Sequence, residues 1–286
     1  HMYTAPEGVS AAEFSGLQPE LARVHDVVRD KTRAGLDAEF ACLNLPELMT
    51  AQLAEIERAA TEIRRYRDVV VAGIGGSSLG AKAVYYALGN AAPDVQRPTL
   101  HFLENIDPYH LEFLLTRLKP ETTAVIAISK SGGTIETVVQ FLALREWLEK
   151  RLGKTDARKR QWIVTDPDQG WLRQLAARED LPALSLPSKV GGRYSVLTAV
   201  GLLPLAAVGV DIRALLNGAA ANVACCADAD SKTNPALELA ALYYLLDVRK
   251  HKRISIMMPY AGPLLQFVNW YCQLWAESLG KRVANA

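Results

Sequence analysis

Four short segments concentrate the residue types that polar chemistry needs. The first is Gly73-Ile74-Gly75-Gly76-Ser77-Ser78-Leu79-Gly80, which follows the apolar run VVVAGI at 69–74. Glycines let backbone approach a ligand, and the start of a following helix offers unpaired N–H groups to an anion. The loop is not the dinucleotide fingerprint, because Ser78 stands where its third glycine belongs. A tight strand-to-helix turn with serine as N-cap is the plain alternative. The second segment, Ser129-Lys130-Ser131-Gly132-Gly133-Thr134-Ile135-Glu136-Thr137, again follows an apolar run. It gathers hydroxyls, two glycines and a cation where a helix dipole is positive, a combination that suits the acceptor oxygens of a phosphomonoester. The GxxxxGK[ST] pattern is absent, so no nucleoside triphosphate is implied; the alternative is a Ser/Thr-rich N-cap with no ligand. The third, Val190-Gly191-Gly192-Arg193-Tyr194-Ser195, puts a glycine pair before an arginine that could stabilise charge developing on oxygen. Read alone, a surface arginine at a domain junction is the better reading. In the fourth, Gln273 and Glu277 are i and i+4 and share one helix face beside Tyr271, Leu274 and Trp275. Those neighbours predict a buried helix, and a carboxylate near its C-terminal end would be a candidate general base. An ordinary helix end closed by Gly280 is the alternative.

The elements that must position these segments follow from the apolar pattern. From Asp68 onward, short apolar runs alternate with amphipathic helical stretches: VVVAGI (69–74), TLHFLE (99–104), AVIAIS (124–129), QWIVTD (161–166) and LPALSLP (181–187). Largely apolar strands each followed by a helix are what a parallel sheet covered on both faces requires. The expected fold class is therefore α/β, a doubly wound parallel sheet of five strands with ligands bound beyond the strands' carboxyl ends. The organisation read from the sequence is a helical segment at 3–66, the α/β domain at 67–187, and a mainly helical stretch at 188–286. A strand is expected at RISIMM (253–258), followed by a helix to Leu279. One parallel strand needs neighbours to satisfy its ladder, so either it joins the first sheet or, as expected here, the sequence is cut inside a second α/β unit.

Composition narrows the function classes. The chain has 286 residues, half of them apolar and 22% charged, enough to build a sizeable core. Lys plus Arg is 32 against 31 Asp plus Glu, a net charge of +1, which argues against nucleic-acid binding by bulk charge. The longest apolar stretch, Ala199 to Val210, is too short to span a bilayer and contains Pro204, so no membrane partner is expected. His1-Met2 reads as a cloning remnant rather than a targeting signal. Cys42, Cys225, Cys226 and Cys272 show neither CxxC spacing nor a disulfide framework, which points to a reduced, cytoplasmic setting. No cluster has metal-ligand spacing, and neither a metal nor a cofactor is expected.

Together, GIGGSSLG (73–80), FLENIDP (102–108), ISKSGGTIET (128–137), VTDP (164–167), VGGRYSVLTAVGLLP (190–204) and WYCQLWAESLGK (270–281) resemble the glucose-6-phosphate isomerase family. That family is built from sugar-isomerase (SIS) folds, and the resemblance covers about residues 65–281; VGGRYS followed by QLWAESLGK is its most specific part. The resemblance implies a phosphorylated hexose as substrate, with Ser129, Lys130, Ser131 and Thr134 gripping the phosphate and Gly76 and Ser77 on the sugar side. It implies Arg193 as the charge-stabilising arginine, Gln273 as a substrate contact and Glu277 as the catalytic base. The implied reaction interconverts glucose 6-phosphate and fructose 6-phosphate through a cis-enediol, a step of glycolysis and gluconeogenesis, in a homodimer without cofactors. The family's ring-opening histidine and a further lysine lie downstream of ESLGK, where this sequence has no counterpart. Three alternatives stand beside this reading. A non-catalytic phosphosugar-sensing SIS module would not need Gln273 and Glu277 on one face. Another SIS-type sugar-phosphate isomerase would be expected to lack VGGRYS. A nicotinamide dehydrogenase is opposed by the missing third glycine.

Overall fold

The computed structural model describes residues 8–89 and 97–280. The chain divides into two compact units, His1–Glu47 with Ala214–Met258, and Leu48–Arg213 with Pro259–Ala286. In chain order the helices before the sheet are α1 (Ala11–Ser15), α2 (Gln18–Asp30), α3 (Leu45–Leu48) and α4 (Leu53–Ile63). The sheet and its helices follow as β1 (Asp68–Ala72), α5 (Leu79–Val84), β2 (Thr99–Leu103), α6 (Pro108–Arg117), β3 (Thr123–Ser129), α7 (Ile135–Arg158), β4 (Gln161–Thr165), α8 (Trp171–Glu179) and β5 (Ala183–Ser185). Helices α9 (Ala199–Ala207), α10 (Ile212–Cys225), α11 (Pro235–Val248) and α12 (Leu265–Leu279) follow among the described residues.

The second unit holds the expected five-stranded sheet, in the order β2-β1-β3-β4-β5 and parallel throughout. Its central strands are Val/Ile/Ala-rich because both faces are covered: Val69 to Ala72 and Ala124 to Ile128 are all fully buried. On one face Val70, Ala72, Val125, Ala127 and Ile163 pack with Leu114 of α6, Phe141, Leu144 and Leu148 of α7, and Leu172 of α8. The alternate residues, Val69, Val71, Ile126 and Ile128, point to the other face. Helices α4 and α9 pack together, with Ile56, Ile63, Leu202 and Leu203 buried. Every residue of α9 is buried, as a helix that is apolar all round requires.

The strand expected at 253–258 is not formed. The segment joins no ladder, and Ile254 and Ile256 are 85% and 74% exposed. Its β-branched residues favour extended backbone, but among the described residues no ladder takes up its N–H and C=O groups.

The other unit is helical, and α1, α2 and α11 share a small core of Phe14, Leu21, Ala241, Leu242 and Leu245. Asn234 organises its loop: Oδ1 accepts from the Ala236 and Leu237 N–H groups at 3.0 and 3.1 Å, capping α11, and Nδ2 donates to the Cys226 and Asp228 carbonyls at 2.8 and 2.7 Å. Asn234→Ala removes the cap, and is expected to lower stability by about 1–2 kcal/mol, read as a lower urea midpoint at unchanged m.

Candidate functional site

Because β1 lies between β2 and β3, the chain leaves β1 toward one edge of the sheet and β3 toward the other. Loops at the carboxyl ends of such a pair diverge and open a crevice, the usual ligand position in doubly wound sheets. The two glycine-rich segments of the sequence are the loops at this crevice.

After β1, Gly75–Ser77 forms a single tight helical turn, with Gly75 at φ +59°. Ser78 does not cap α5 as the plain turn would have it. Its hydroxyl donates instead to Glu104 Oε1 at 2.7 Å, while Lys82 Nζ donates to Glu104 Oε2 at 2.5 Å. The loop is thereby tied to Glu104, the residue that follows β2. Ser77 sits in the turn, its N–H donating to the Ile74 carbonyl at 3.1 Å.

After β3, the chain reverses at Gly132, φ +65°, where a Cβ would stand 2.9 Å from Thr165 Oγ1 and 3.0 Å from Gly170 Cα. Three hydroxyls converge there: Ser129 Oγ is 2.8 Å from Thr134 Oγ1 and 3.4 Å from Ser131 Oγ, which is itself 3.3 Å from Thr134 Oγ1. Thr134 occupies the N-cap position of α7 yet makes no side-chain cap bond. Its hydroxyl faces the other two, so the first-turn N–H groups of α7 are not taken up by an N-cap side chain. Lys130 is half-buried, its carbonyl accepting from the Asp166 N–H at 3.3 Å.

The third segment is drawn onto the first by backbone contact. A Cβ on Gly76 would lie 2.2 Å from the Gly192 carbonyl carbon and 2.7 Å from the Arg193 nitrogen. The Ser195 hydroxyl reaches the Gly192 carbonyl at 2.6 Å and the Gly76 carbonyl at 3.2 Å, spanning the junction. The fourth segment, α12, packs on α5. Gln273 Nε2 lies where a Cβ on Gly75 would be 2.9 Å away, and it donates to Glu277 Oε1 at 2.9 Å. Gln273 Oε1 is buried without a hydrogen-bond partner. Arg193 Nη1 stands 3.6 Å from Glu277 Oε2, and Arg193 Nε donates to Ser278 Oγ at 2.9 Å.

Gly76, Arg193, Gln273 and Glu277 are thus brought together, and the Ser129–Thr134 hydroxyls lie at the end of the neighbouring strand. One expectation is corrected. Helix α12 has no buried residue, and the Glu277 side chain is 49% exposed. The face against α5, the Gly75–Ser77 turn and the Gly192–Leu197 turn is covered, while Leu265 and Leu279 stand open at 59% and 61%. Glu277 is therefore set beside a guanidinium and solvent rather than in an apolar pocket. Sequence reasoning gave no separate role to Gly75, Tyr194, Ser195 and Ser278. The signal was present, since each lies within two residues of a chosen residue inside GIGGSSLG, VGGRYS or AESLGK.

Comparison with known proteins gives the family of the chain. The family model described as phosphoglucose isomerase matches residues 50–286. The glucose-6-phosphate isomerase of Rubrobacter xylanophilus is 43% identical over 282 residues, covering 96% of this chain and 63% of that protein. That of Carboxydothermus hydrogenoformans is 38% identical over 290 residues, covering 99% and 61%. Among solved structures, a hypothetical protein of Thermus thermophilus superposes with a TM-score of 0.83 at 35% identity, covering 94% of this chain and 61% of that one. A glucose-6-phosphate isomerase from Chlamydia trachomatis shares the fold, with a TM-score of 0.84 at 22% identity over 96% and 58%. The chain spans about three-fifths of the length of the relatives it matches. With the match running from residue 50 through all four site segments, the chain belongs to the phosphoglucose isomerase family.

Proposed function

We propose that the protein carrying this chain interconverts glucose 6-phosphate and fructose 6-phosphate, as a cytoplasmic homodimer. The observation that carries this reading is a hydroxyl-lined loop after β3 and a Gln273–Glu277–Arg193 cluster set against the loop after the neighbouring strand β1, the pair of strands that forms the switch point of the sheet. Ser129, Lys130, Ser131, Thr134 and the start of α7 bind the phosphate, and Gly76 and Ser77 lie along the sugar. The open-chain sugar then presents C1 and C2 to Glu277. The Glu277 carboxylate removes the C2 proton of the aldose and returns it to C1, while the hydroxyl proton on O2 passes to O1 through the cis-enediol(ate). Proton and electron pair balance within the substrate, so the reaction calls for no redox partner. Arg193 stabilises the negative charge on oxygen in the intermediate, and Gln273, whose Oε1 has no protein partner, accepts from a sugar hydroxyl.

The test is isomerisation in deuterium oxide by the protein as its gene encodes it. Fructose 6-phosphate should yield glucose 6-phosphate carrying solvent deuterium at C2, followed by NMR. Binding of the phosphosugar without interconversion would replace the enzyme by a phosphosugar-sensing module. The phosphate contact has its own test. Ser131→Ala combined with Thr134→Ala removes two donors to a charged group, each worth about 1.5–3 kcal/mol. Phosphosugar affinity by calorimetry should fall by about a hundredfold or more. Unchanged affinity would place the anion elsewhere.

A further inference from the structure

We propose that Ser278 and Tyr194 are positioning residues that hold the Arg193 guanidinium in one plane with its Nη edge toward Glu277. The inference rests on the isomerase reading for its consequence in catalysis, and on geometry alone for the clamp itself.

An arginine side chain has four rotatable bonds before its planar head, and a guanidinium that must meet charge at a fixed point needs that head locked. Three contacts do so here. The Arg193 Nε–H donates to Ser278 Oγ at 2.9 Å. The Tyr194 hydroxyl lies 2.8 Å from the same Ser278 oxygen. The Arg193 Cζ stands 4.5 Å from the Tyr194 ring centre, so the cation is stacked on the ring whose hydroxyl it reaches indirectly. A serine oxygen has two lone pairs and one proton, so it accepts from Nε–H while still bonding the phenol in either direction. The guanidinium is therefore fixed at its Nε corner and over its face. Its Nη groups remain to act, with Nη1 3.6 Å from Glu277 Oε2.

The helix explains why Ser278 fits the task. Consecutive helical residues diverge by about 100°, so Glu277 and Ser278 leave α12 in different directions and meet different edges of one guanidinium. With the Nε–H and the phenol both bonded to it, Ser278 Oγ has little capacity left for a substrate hydroxyl, which makes it a support for Arg193 rather than a binding group. Arg193→Lys could not use the clamp, since lysine has no Nε–H fork to offer.

The experiment reads the clamp directly. In nitrogen-edited NMR the Arg193 Nε–H signal, identified by its loss in Arg193→Lys, is expected to exchange with water slowly in the parent. Ser278→Ala should accelerate that exchange by about ten- to a hundredfold, the range of a lost hydrogen bond to a charged group. Ser278→Thr keeps the hydroxyl and should restore slow exchange, and Tyr194→Phe, which keeps the stack, should produce a smaller acceleration. Exchange unchanged in Ser278→Ala, or Ser278→Thr behaving as Ser278→Ala, would overturn the proposal. In the protein as its gene encodes it, Ser278→Ala should lower kcat about tenfold with KM held, because the arginine acts on charge that develops in the intermediate. A rise in KM at parental kcat would instead make Ser278 a substrate-binding group and also overturn the proposal. If the parent fails to isomerise sugar phosphates, it is the functional reading that falls, and the exchange measurements still decide the clamp.

Discussion

Glu277→Gln is expected to bind fructose 6-phosphate close to the parental affinity while kcat falls by about 10²–10⁴-fold, the contribution of a positioned general base. The amide is nearly isosteric with the carboxylate, and its oxygen can still accept from Gln273 Nε2, now 2.9 Å from Glu277 Oε1. The pairing with Arg193 at 3.6 Å is half-exposed and contributes little to folding, about 1 kcal/mol at most. The substitution therefore leaves helix and turn in place and removes only the ability to accept a proton. Exchange of the substrate C2 proton with solvent deuterium reports that step without depending on product release. If Glu277→Gln exchanges the proton at the parental rate, Glu277 is an ordinary helix residue and the proposed mechanism is wrong. Because Glu277 stands half in solvent beside a cation, its role as base depends on placement against the bound sugar rather than on an apolar pocket.

The parallel sheet was legible in the sequence because strands buried on both faces must be apolar at successive positions, and VVVA and AVIAI meet no competing requirement. The two loops were legible for a related reason: glycines and hydroxyls directly after such strands have few structural uses. The failures have physical causes too. RISIMM has the β-branched composition of a strand, but composition cannot supply the neighbouring chain a ladder needs, and the segment is left with Ile254 and Ile256 open to solvent. The aromatic and aliphatic residues of α12 suggested burial, yet a helix is buried only as far as other elements cover it, and α5 covers one face. Contacts between segments more than a hundred residues apart had no local signal. Nothing in GIGGSSLG says that Gly76 will touch Gly192, or that Gln273 will lie on Gly75. The glycine pairs marked both places as special without saying what they meet.

That junction carries the second large effect. Gly76→Ala is expected to lower stability by about 3 kcal/mol, the upper end of overpacking costs, and to reduce kcat/KM by about a hundredfold. The new Cβ would lie 2.2 Å from the Gly192 carbonyl carbon, 2.3 Å from its oxygen and 2.7 Å from the Arg193 nitrogen. All three are backbone atoms, so no side chain can swing aside; the turn itself must retreat by about an ångström or more to reach ordinary contact distance. Its retreat breaks the bridge from the Ser195 hydroxyl to the Gly192 and Gly76 carbonyls. It also carries Arg193 away from Glu277, and a misplacement of about 1 Å is enough to lose two orders of magnitude in rate. Gly133→Ala is the control for stability, since a Cβ there meets nothing nearer than the Ser131 carbonyl oxygen at 4.0 Å. Urea unfolding should separate the two variants by about 3 kcal/mol at equal m, with Gly133→Ala close to the parent. A Gly76→Ala protein that unfolds and turns over like the parent would mean that Arg193 is not delivered to the site by backbone contact with the first loop.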